Sequence, residues 1–233
     1  MRIFEVGGSV RDRMLGLDSK DKDFAVEAES FDTMVGELKD LGYTVFLEKP
    51  EFLTIRAKFP KGHKFSAQTA DFVLCRKDGT YTDGRRPDFV EAGTIYDDLA
   101  RRDFTVNAMA VDSDGTLIDP HGGNRDLADM LLRTVGDPMV RFGEDYLRAV
   151  RAIRFAVTKK FKFDTTLIRA LDSNEVADGL RNVSVERIRE EMFKAFKADT
   201  FRTIMILNNF PRVRMAILDG KNGLWLEPTL KER

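Results

Sequence analysis

The sequence predicts a two-part molecule, an α/β head built on a small sheet followed by an all-helical half. Two observations predict it. Short β-type runs mix with helical stretches up to about residue 136, and from Asp137 onward those runs cease while apolar residues recur at helical spacing. In the head, strands are read at Arg2 to Val6, Asp23 to Val26, Tyr43 to Leu47, Phe52 to Arg56 and Ala70 to Leu74, with a helix at Phe31 to Leu41. In the second half, helices are read at Gly143 to Thr158, Thr165 to Asn174, Val185 to Ala198 and Thr200 to Asn208. The segment Lys77 to Phe89, KDGTYTDGRRPDF, is rich in Gly, Asp and Arg and reads as a mobile loop. The last stretch, Lys221 to Arg233, holds the only tryptophan, Trp225, read as a cap on the helical part.

Composition narrows the function classes. The chain has 233 residues, 42% hydrophobic and 33% charged, enough to bury a core and divide into two domains. Its apolar runs are only a few residues long, against the roughly 20 that a membrane helix needs, so a soluble protein is expected. The opening MRIFEVGG lacks the pattern of a secretory signal, which points to the cytoplasm. One cysteine, Cys75, makes no internal disulfide and gives no ground for a disulfide-linked partner. With only His63 and His121 beside it there is no Cys/His cluster for zinc. Any metal must be held by carboxylates. Residues 138–233 carry 19 Lys/Arg against 13 Asp/Glu, whereas residues 1–137 carry 19 against 26. That asymmetry fits a polyanion on the second half and gathered carboxylates on the first, and chance accounts for it equally well.

Three constellations carry chemistry. In the first, Gly7-Gly8-Ser9-Val10-Arg11-Asp12 follows a strand, so the glycines let the chain turn into a helix whose first amides, with Arg11, can face a phosphate. Asp21-Lys22-Asp23 then opens the next strand, where residues two apart share a side and two carboxylates can hold Mg²⁺. Asp71, in another β-type run, is a candidate third carboxylate. Solvated strand ends are the plainer explanation of a lone Asp-x-Asp, which the adjoining Gly-Gly turn disfavours. In the second constellation, Asp98 to Ala108, Arg101 and Arg102 beside an acid and an amide suit phosphates and a ribose hydroxyl, or form an exposed ion-paired surface. In the third, Phe142 to Phe155, Leu147, Val150, Ile153 and Val157 form an apolar stripe while Asp145, Arg148 and Arg151 rise along another face. Asp145 can accept from an exocyclic amine and Arg148 donate to a ring nitrogen or carbonyl. The alternative is a polar helix face with a Glu144 to Arg148 ion pair.

Taken in order, GGSVRDRMLG, DKD, DDLARRDFTVNAMA, DPHGGNRDL, GEDYLRAVRAIRF and NVSVERIREEMFK make the chain similar to the class II tRNA nucleotidyltransferases, the CCA-adding enzymes, whose plan bacterial poly(A) polymerases share. The resemblance covers roughly residues 1 to 197. It implies a polymerase-β-like nucleotidyltransferase head with a small mixed sheet over 1–136, and a helical neck and short body over 137–233 that reads the incoming nucleotide without a nucleic-acid template. It further implies Asp21 and Asp23 as metal ligands, with Asp71 a third catalytic carboxylate. Gly8 and Arg11 then hold nucleotide phosphates; Arg102, Asp103 and Asn107 grip triphosphate and ribose. Asp145 and Arg148 hydrogen-bond the base, and Arg151 and Arg154 add further nucleotide contacts. Asp119, Gly122 and Gly123 match a hinge-like segment with a structural role, and the Lys77 to Phe89 loop lies where the family keeps an element linked to switching from C to A. The implied activity is Mg²⁺-dependent addition of CMP and AMP from CTP and ATP to the 3′ end of tRNA, releasing pyrophosphate. Members of the family continue through a longer helical body and tail, whereas the matching motifs here end at the neck.

Rivals within the same motif set are a poly(A) polymerase or a partial enzyme adding only CC or only A. Rivals of another class are a catalytically silent RNA-binding module and a regulator that binds CTP without consuming it. A carboxylate pair beside a phosphate turn argues against the silent module, which has no need of it.

Overall fold

A computed structural model describes residues 1–18, 22–66 and 68–219. The chain forms two compact units, one of Met1–Thr80 and Asp88–Leu127, the other of Tyr81–Pro87 and the chain from Ala128 onward. The helical unit thus begins at Ala128, where the sequence placed the boundary at 136/137.

The first unit is organised on a seven-stranded mixed sheet. Its strands are β1 (Arg2–Val6), β2 (Asp23–Glu27), β3 (Thr44–Lys49), β4 (Thr54–Lys58), β5 (Thr69–Leu74), β8 (Ala110–Val111) and β9 (Leu117–Ile118), in the order β3-β4-β5-β2-β1-β8-β9. Strands β6 (Arg76–Asp78) and β7 (Val90–Ala92) form a separate ribbon. Within the large sheet β2 and β5 run parallel and the other neighbours antiparallel. The five strands expected from the sequence are all present, and the alternation that marks β4 and β5 appears as alternating burial.

One face of the sheet carries the main core. Phe24, Val26, Ile55, Phe72 and Leu74 meet Met34 and Leu38 of α2 (Phe31–Asp40), one helical turn apart. Phe24 stacks on Phe72 with ring centres 5.2 Å apart. Fully burying each such side chain contributes about 1.5–3 kcal/mol. Ser30 starts α2 by accepting the Thr33 N–H at 3.1 Å. Helix α1 (Gly8–Met14) follows β1 directly, and α3 (Ile95–Ala100) opens with a reciprocal cap between Thr94 and Asp97. Helix α4 (Gly123–Ala128) is capped by Asp119, which accepts from the Gly123 and Asn124 N–H groups at 2.7 and 2.9 Å. That gives Asp119 the structural part expected of it. A β-carbon on Gly123 would lie 2.1 Å from the Thr105 carbonyl oxygen, so only glycine fits there.

One expectation in this region needs correcting. The Lys77 to Phe89 segment is not an unpaired loop: β6 and β7 pair across its base, and Thr80 Oγ1 donates to Asp88 at 2.5 Å. Its tip, Tyr81–Pro87, belongs to the helical unit. Two- and three-residue strands such as β6 to β9 carry too few residues for an alternating pattern to register.

The second unit contains α5 (Pro138–Glu144), α6 (Leu147–Thr158), α7 (Thr165–Leu171), α8 (Asn174–Asn182), α9 (Val185–Ala198), α10 (Thr200–Asn209) and α11 (Pro211–Arg214). The half is not wholly helical, since β10 (Leu131–Leu132) pairs in parallel with β11 (Lys162–Phe163). Helix α6 packs along α9, burying Val150, Ile153 and Val157 with Ile188, Met192 and Ala195. Asp137, Asp164, Ser173 and Asp199 cap α5, α7, α8 and α10 through their side chains. The single helix expected over Gly143 to Thr158 is two. Asp145 ends α5 with extended backbone, φ −159° and ψ 103°, and α6 restarts two residues later. Trp225 lies outside the described residues.

Candidate active site

In the head, strand register assembles the carboxylates. Val6 pairs with Asp23, Asp23 with Asp71, and Asp71 with Arg56, so one row crosses four strands and its residues share a face. Strand β1 passes from Val6 straight into the Gly7-Gly8 turn, which places that turn at the same end of the sheet as Asp23. The Asp23 residue is exposed. Asp71 is held by Arg56, whose Nε and Nη2 donate to its two oxygens at 2.6 and 2.7 Å. Arg56 is half exposed, and an ion pair so placed contributes about 0–1 kcal/mol, so replacing the guanidinium by another cation costs little. Asp21 lies outside the described residues. Among the described residues no three His, Cys, Asp or Glu side chains form a metal-binding group. The donors on this row are carboxylate oxygens, the hard ligands that Mg²⁺ takes.

Around the glycine turn two guanidiniums gather. Gly7 has φ +72°, and a β-carbon there would lie 2.9 Å from Arg102 Nη1; one on Gly8 would lie 3.5 Å from Arg11 Nη2. Arg11 is buried. Its Nε donates to Asp12 at 2.8 Å and its Nη1 to Asn107 Oδ1. Asn107 Nδ2 in turn donates to Asp103 Oδ1 at 2.9 Å, which also accepts the Phe104 N–H at 2.8 Å. Arg11, Asn107 and Asp103 therefore form one buried polar chain beside the turn, and a buried network of this kind is rigid because each lost partner strands another.

The anchor of the arginines is a residue whose role the sequence did not reveal. Asp98 is 1% exposed and binds both: Oδ2 accepts from Arg102 Nε and Nη2 at 3.1 and 2.8 Å, while Oδ1 accepts from Arg101. Burial on its own would raise the Asp98 carboxyl pKa, but the charges of Arg102 and Arg101 and their hydrogen bonds hold it below the usual carboxylate range. The arginines are thus neither an exposed pair nor free rotors. The i,i+3 and i,i+4 spacing of Asp98 to Arg101 and Arg102 was the available signal.

The helical unit carries the second set. Asp145 Oδ2 accepts from Arg187 Nη2 of α9 at 2.6 Å and Oδ1 from the Leu147 N–H at 3.1 Å. Arg148 pairs with Glu144, the alternative that the sequence left open, and also donates to the Arg141 carbonyl at 2.9 Å. Because the backbone turns at Asp145, this residue does not share a helix with Arg148 and Arg151. Arg154 Nε donates to buried Glu191 of α9, and Arg151 Nη1 stands 3.8 Å from the same carboxylate. Arg187 and Glu191 sit within the quoted NVSVERIREEMFK segment, yet no pattern in the sequence tied them to Asp145 and Arg154, which lie 42 and 37 residues away. A cleft of about 420 Å³ is lined by Tyr81, Asp83 and Arg85 from the hairpin tip together with Gly143, Tyr146 and Arg187. The site residues thus fall into one group per unit: Gly8, Arg11, Asp23, Asp71, Arg102, Asp103 and Asn107 in the first, and Asp145, Arg148, Arg151 and Arg154 in the second.

Comparison with known proteins places the chain in a family. A family profile described as the poly A polymerase head domain matches residues 3–133. A CCA-adding enzyme of Levilactobacillus brevis is 40% identical over 190 residues, covering 81% of this chain and 45% of the relative. The crystal structure of the Bacillus stearothermophilus CCA-adding enzyme in complex with CTP superposes with a TM-score of 0.77 at 29% identity, over 95% of this chain and 50% of that one. A tRNA nucleotidyltransferase complexed with a primer tRNA and an incoming ATP analog superposes with a TM-score of 0.72 at 31% identity, over 95% of this chain and 60% of that one. The chain spans just under half the length of the curated relatives it matches.

Proposed function

The chain belongs to the nucleotidyltransferase family of the poly A polymerase head domain, with CCA-adding enzymes among its relatives, and from that premise we propose that it adds CMP and AMP from CTP and ATP to the 3′ end of tRNA. The observation that carries this reading is the register that brings the Gly7-Gly8 turn, Asp23 and Asp71 to one end of three adjacent strands. A phosphate-holding turn beside acidic residues is what transfer of a nucleotidyl group requires.

In the proposed reaction the terminal 3′ hydroxyl of the RNA attacks the α-phosphate in line. A new P–O bond forms as the bond from the α-phosphorus to the bridging β-phosphate oxygen breaks, pyrophosphate leaves with that oxygen and the hydroxyl proton passes to solvent. Arg102 and Arg11, over the glycine turn with Gly8, neutralise the triphosphate. Asp103 and Asn107 supply an acceptor and an amide for the ribose hydroxyls. Asp145 and Arg148 pair with the edge of the base, and Arg151 and Arg154 extend the contact; for this Arg148 exchanges Glu144 for the base. Nucleotidyltransferases of this kind use a divalent metal, here taken as Mg²⁺, and Asp21, Asp23 and Asp71 are the residues that would hold it. When bound, the ion neutralises phosphate charge and makes the attacking hydroxyl more acidic. We place the reaction in the cytoplasm, where a lone buried thiol such as Cys75 stays reduced; no helix among the described residues is long and apolar enough to cross a membrane.

Incubating the protein with tRNA lacking its CCA end, with CTP and ATP singly and together, and sequencing the 3′ ends tests the proposal. Addition of C, C and A in turn is expected. Failure to incorporate CTP would overturn it, runs of A would favour a poly(A) polymerase, and addition stopping at CC or confined to A would mark a partial enzyme.

A further inference from the structure

On the sheet face away from Asp23 lies a buried carboxylate with no part in the reaction above. Glu5 of β1 is 6% exposed and pairs across the strands with Phe24, one residue beyond the Val6–Asp23 pair, so its side chain points to the opposite face. Its Oε2 accepts from Arg13 Nη1 at 2.5 Å. Its Oε1 accepts no hydrogen bond and stands 3.8 Å from Lys22 Nζ, an ion pair too long for a hydrogen bond. That ammonium also lies 4.5 Å from the centre of the Phe65 ring. The two cations come from different parts of the machinery: Arg13 is in α1, two residues beyond Arg11, and Lys22 stands between the two aspartates of Asp21-Lys22-Asp23.

We propose that Glu5 is a positioning residue that ties the phosphate turn to the carboxylate strand from beneath, through Arg13 on one side and Lys22 on the other. The inference rests on the reading of Asp23 as a metal-holding carboxylate. Glu5 touches no reacting atom. It fixes α1 and the start of β2 with respect to each other, so that Arg11 and Asp23 meet the same nucleotide in register. Misplacement of about 1 Å at a reacting centre costs on the order of a hundredfold in rate, so a tie that sets where Arg11 and Asp23 stand bears on how metal and nucleotide are held. Phe65 shields the Lys22 ammonium from water and strengthens its pairing with Glu5.

The test uses the full chain and the variants Glu5→Gln, Lys22→Met and Lys22→Arg. Hydrogen exchange over Gly8–Met14 and Lys22–Ala25 is expected to quicken about tenfold in Glu5→Gln, with β4 unchanged. In Lys22→Met the same increase is expected over Lys22–Ala25 alone. In equilibrium dialysis with CTP, the Mg²⁺ concentration for half-maximal binding is expected to rise about fivefold in Glu5→Gln and Lys22→Met, and to return to within twofold of the parent in Lys22→Arg. Unchanged exchange in both stretches would overturn the tie. Faster exchange with an unchanged Mg²⁺ midpoint would reduce Glu5 to a structural residue and overturn the positioning role. If the parent chain itself bound no CTP, the proposed function would fall, and exchange alone would then decide whether the tie exists.

Discussion

Asp98 shows how one side chain decides the state of its neighbours. Both guanidiniums of the Arg101-Arg102 pair are oriented by a carboxylate that is itself out of water. Asp98→Asn leaves two cations facing a neutral amide, and removal of one partner from a buried pair is costly. Because the arginines retain some solvent, we expect a loss of about 3 kcal/mol, read from urea denaturation. The same residue sets an acid limit. Its carboxyl pKa is lower in the folded chain than in the unfolded one, so the stability it contributes is fully present above about pH 4 and drains away as pH falls through the folded value. Thermal midpoints measured from pH 7 to pH 3 should fall less steeply in Asp98→Asn than in the parent chain. Cys75 behaves oppositely: burial, and then the negative charges of Asp98 and Glu27, push its thiol well up. Native protein should therefore resist alkylation by iodoacetamide at pH 8, and protein in urea should react.

At the scale of elements, the packing of α8 against Tyr146, the residue that precedes α6, turns on an absent side chain. A β-carbon on Gly179 of α8 would sit 2.4 Å from the ring of Tyr146, so the ring lies flat against the helix backbone. Gly179→Ala should cost about 1–3 kcal/mol through overpacking. In a Tyr146→Ala background the same change should become neutral or stabilising, because alanine otherwise favours a helix by about 1 kcal/mol over glycine; urea midpoints of the four chains decide it. The strands from Arg2 to Leu74 were legible because they are long enough for alternation to show, and Phe31 to Leu41 because an apolar pair one turn apart follows a serine cap. The helix break at Asp145 was not. Val150, Ile153 and Val157 fall on the helical face that Phe142 would share, so the apolar pattern runs across the break. Helix α8, NEVADGLRN, was not legible because only two of its four buried residues, Val176 and Leu180, are large and apolar, the others being Ala177 and Gly179. Candidate-site residues were legible where they sit in short motifs, as Gly8, Arg11, Arg102 and Asp103 do. Their supports, Arg56, Arg187, Glu191 and Glu5, were not, since each acts on a residue brought close only by folding.

On the scale of the whole molecule, the charge division noted in the sequence gives the chain two characters. The half after Asp137 is basic, with 19 Lys/Arg against 13 Asp/Glu over residues 138–233. RNA held mainly by such charge should release counterions on binding. For about three phosphate contacts, raising salt from 50 to 200 mM should weaken tRNA binding roughly 40-fold by filter binding, whereas CTP binding should change far less. The central claim, however, concerns the acidic half, where a glycine turn and two aspartates share one end of a sheet. Its most direct test is CMP incorporation into tRNA lacking its CCA end by the Asp23→Asn chain, beside the parent. The account predicts a fall of about 10³-fold or more, about 4 kcal/mol in the barrier, with the urea midpoint kept. Incorporation within twofold of the parent would contradict it.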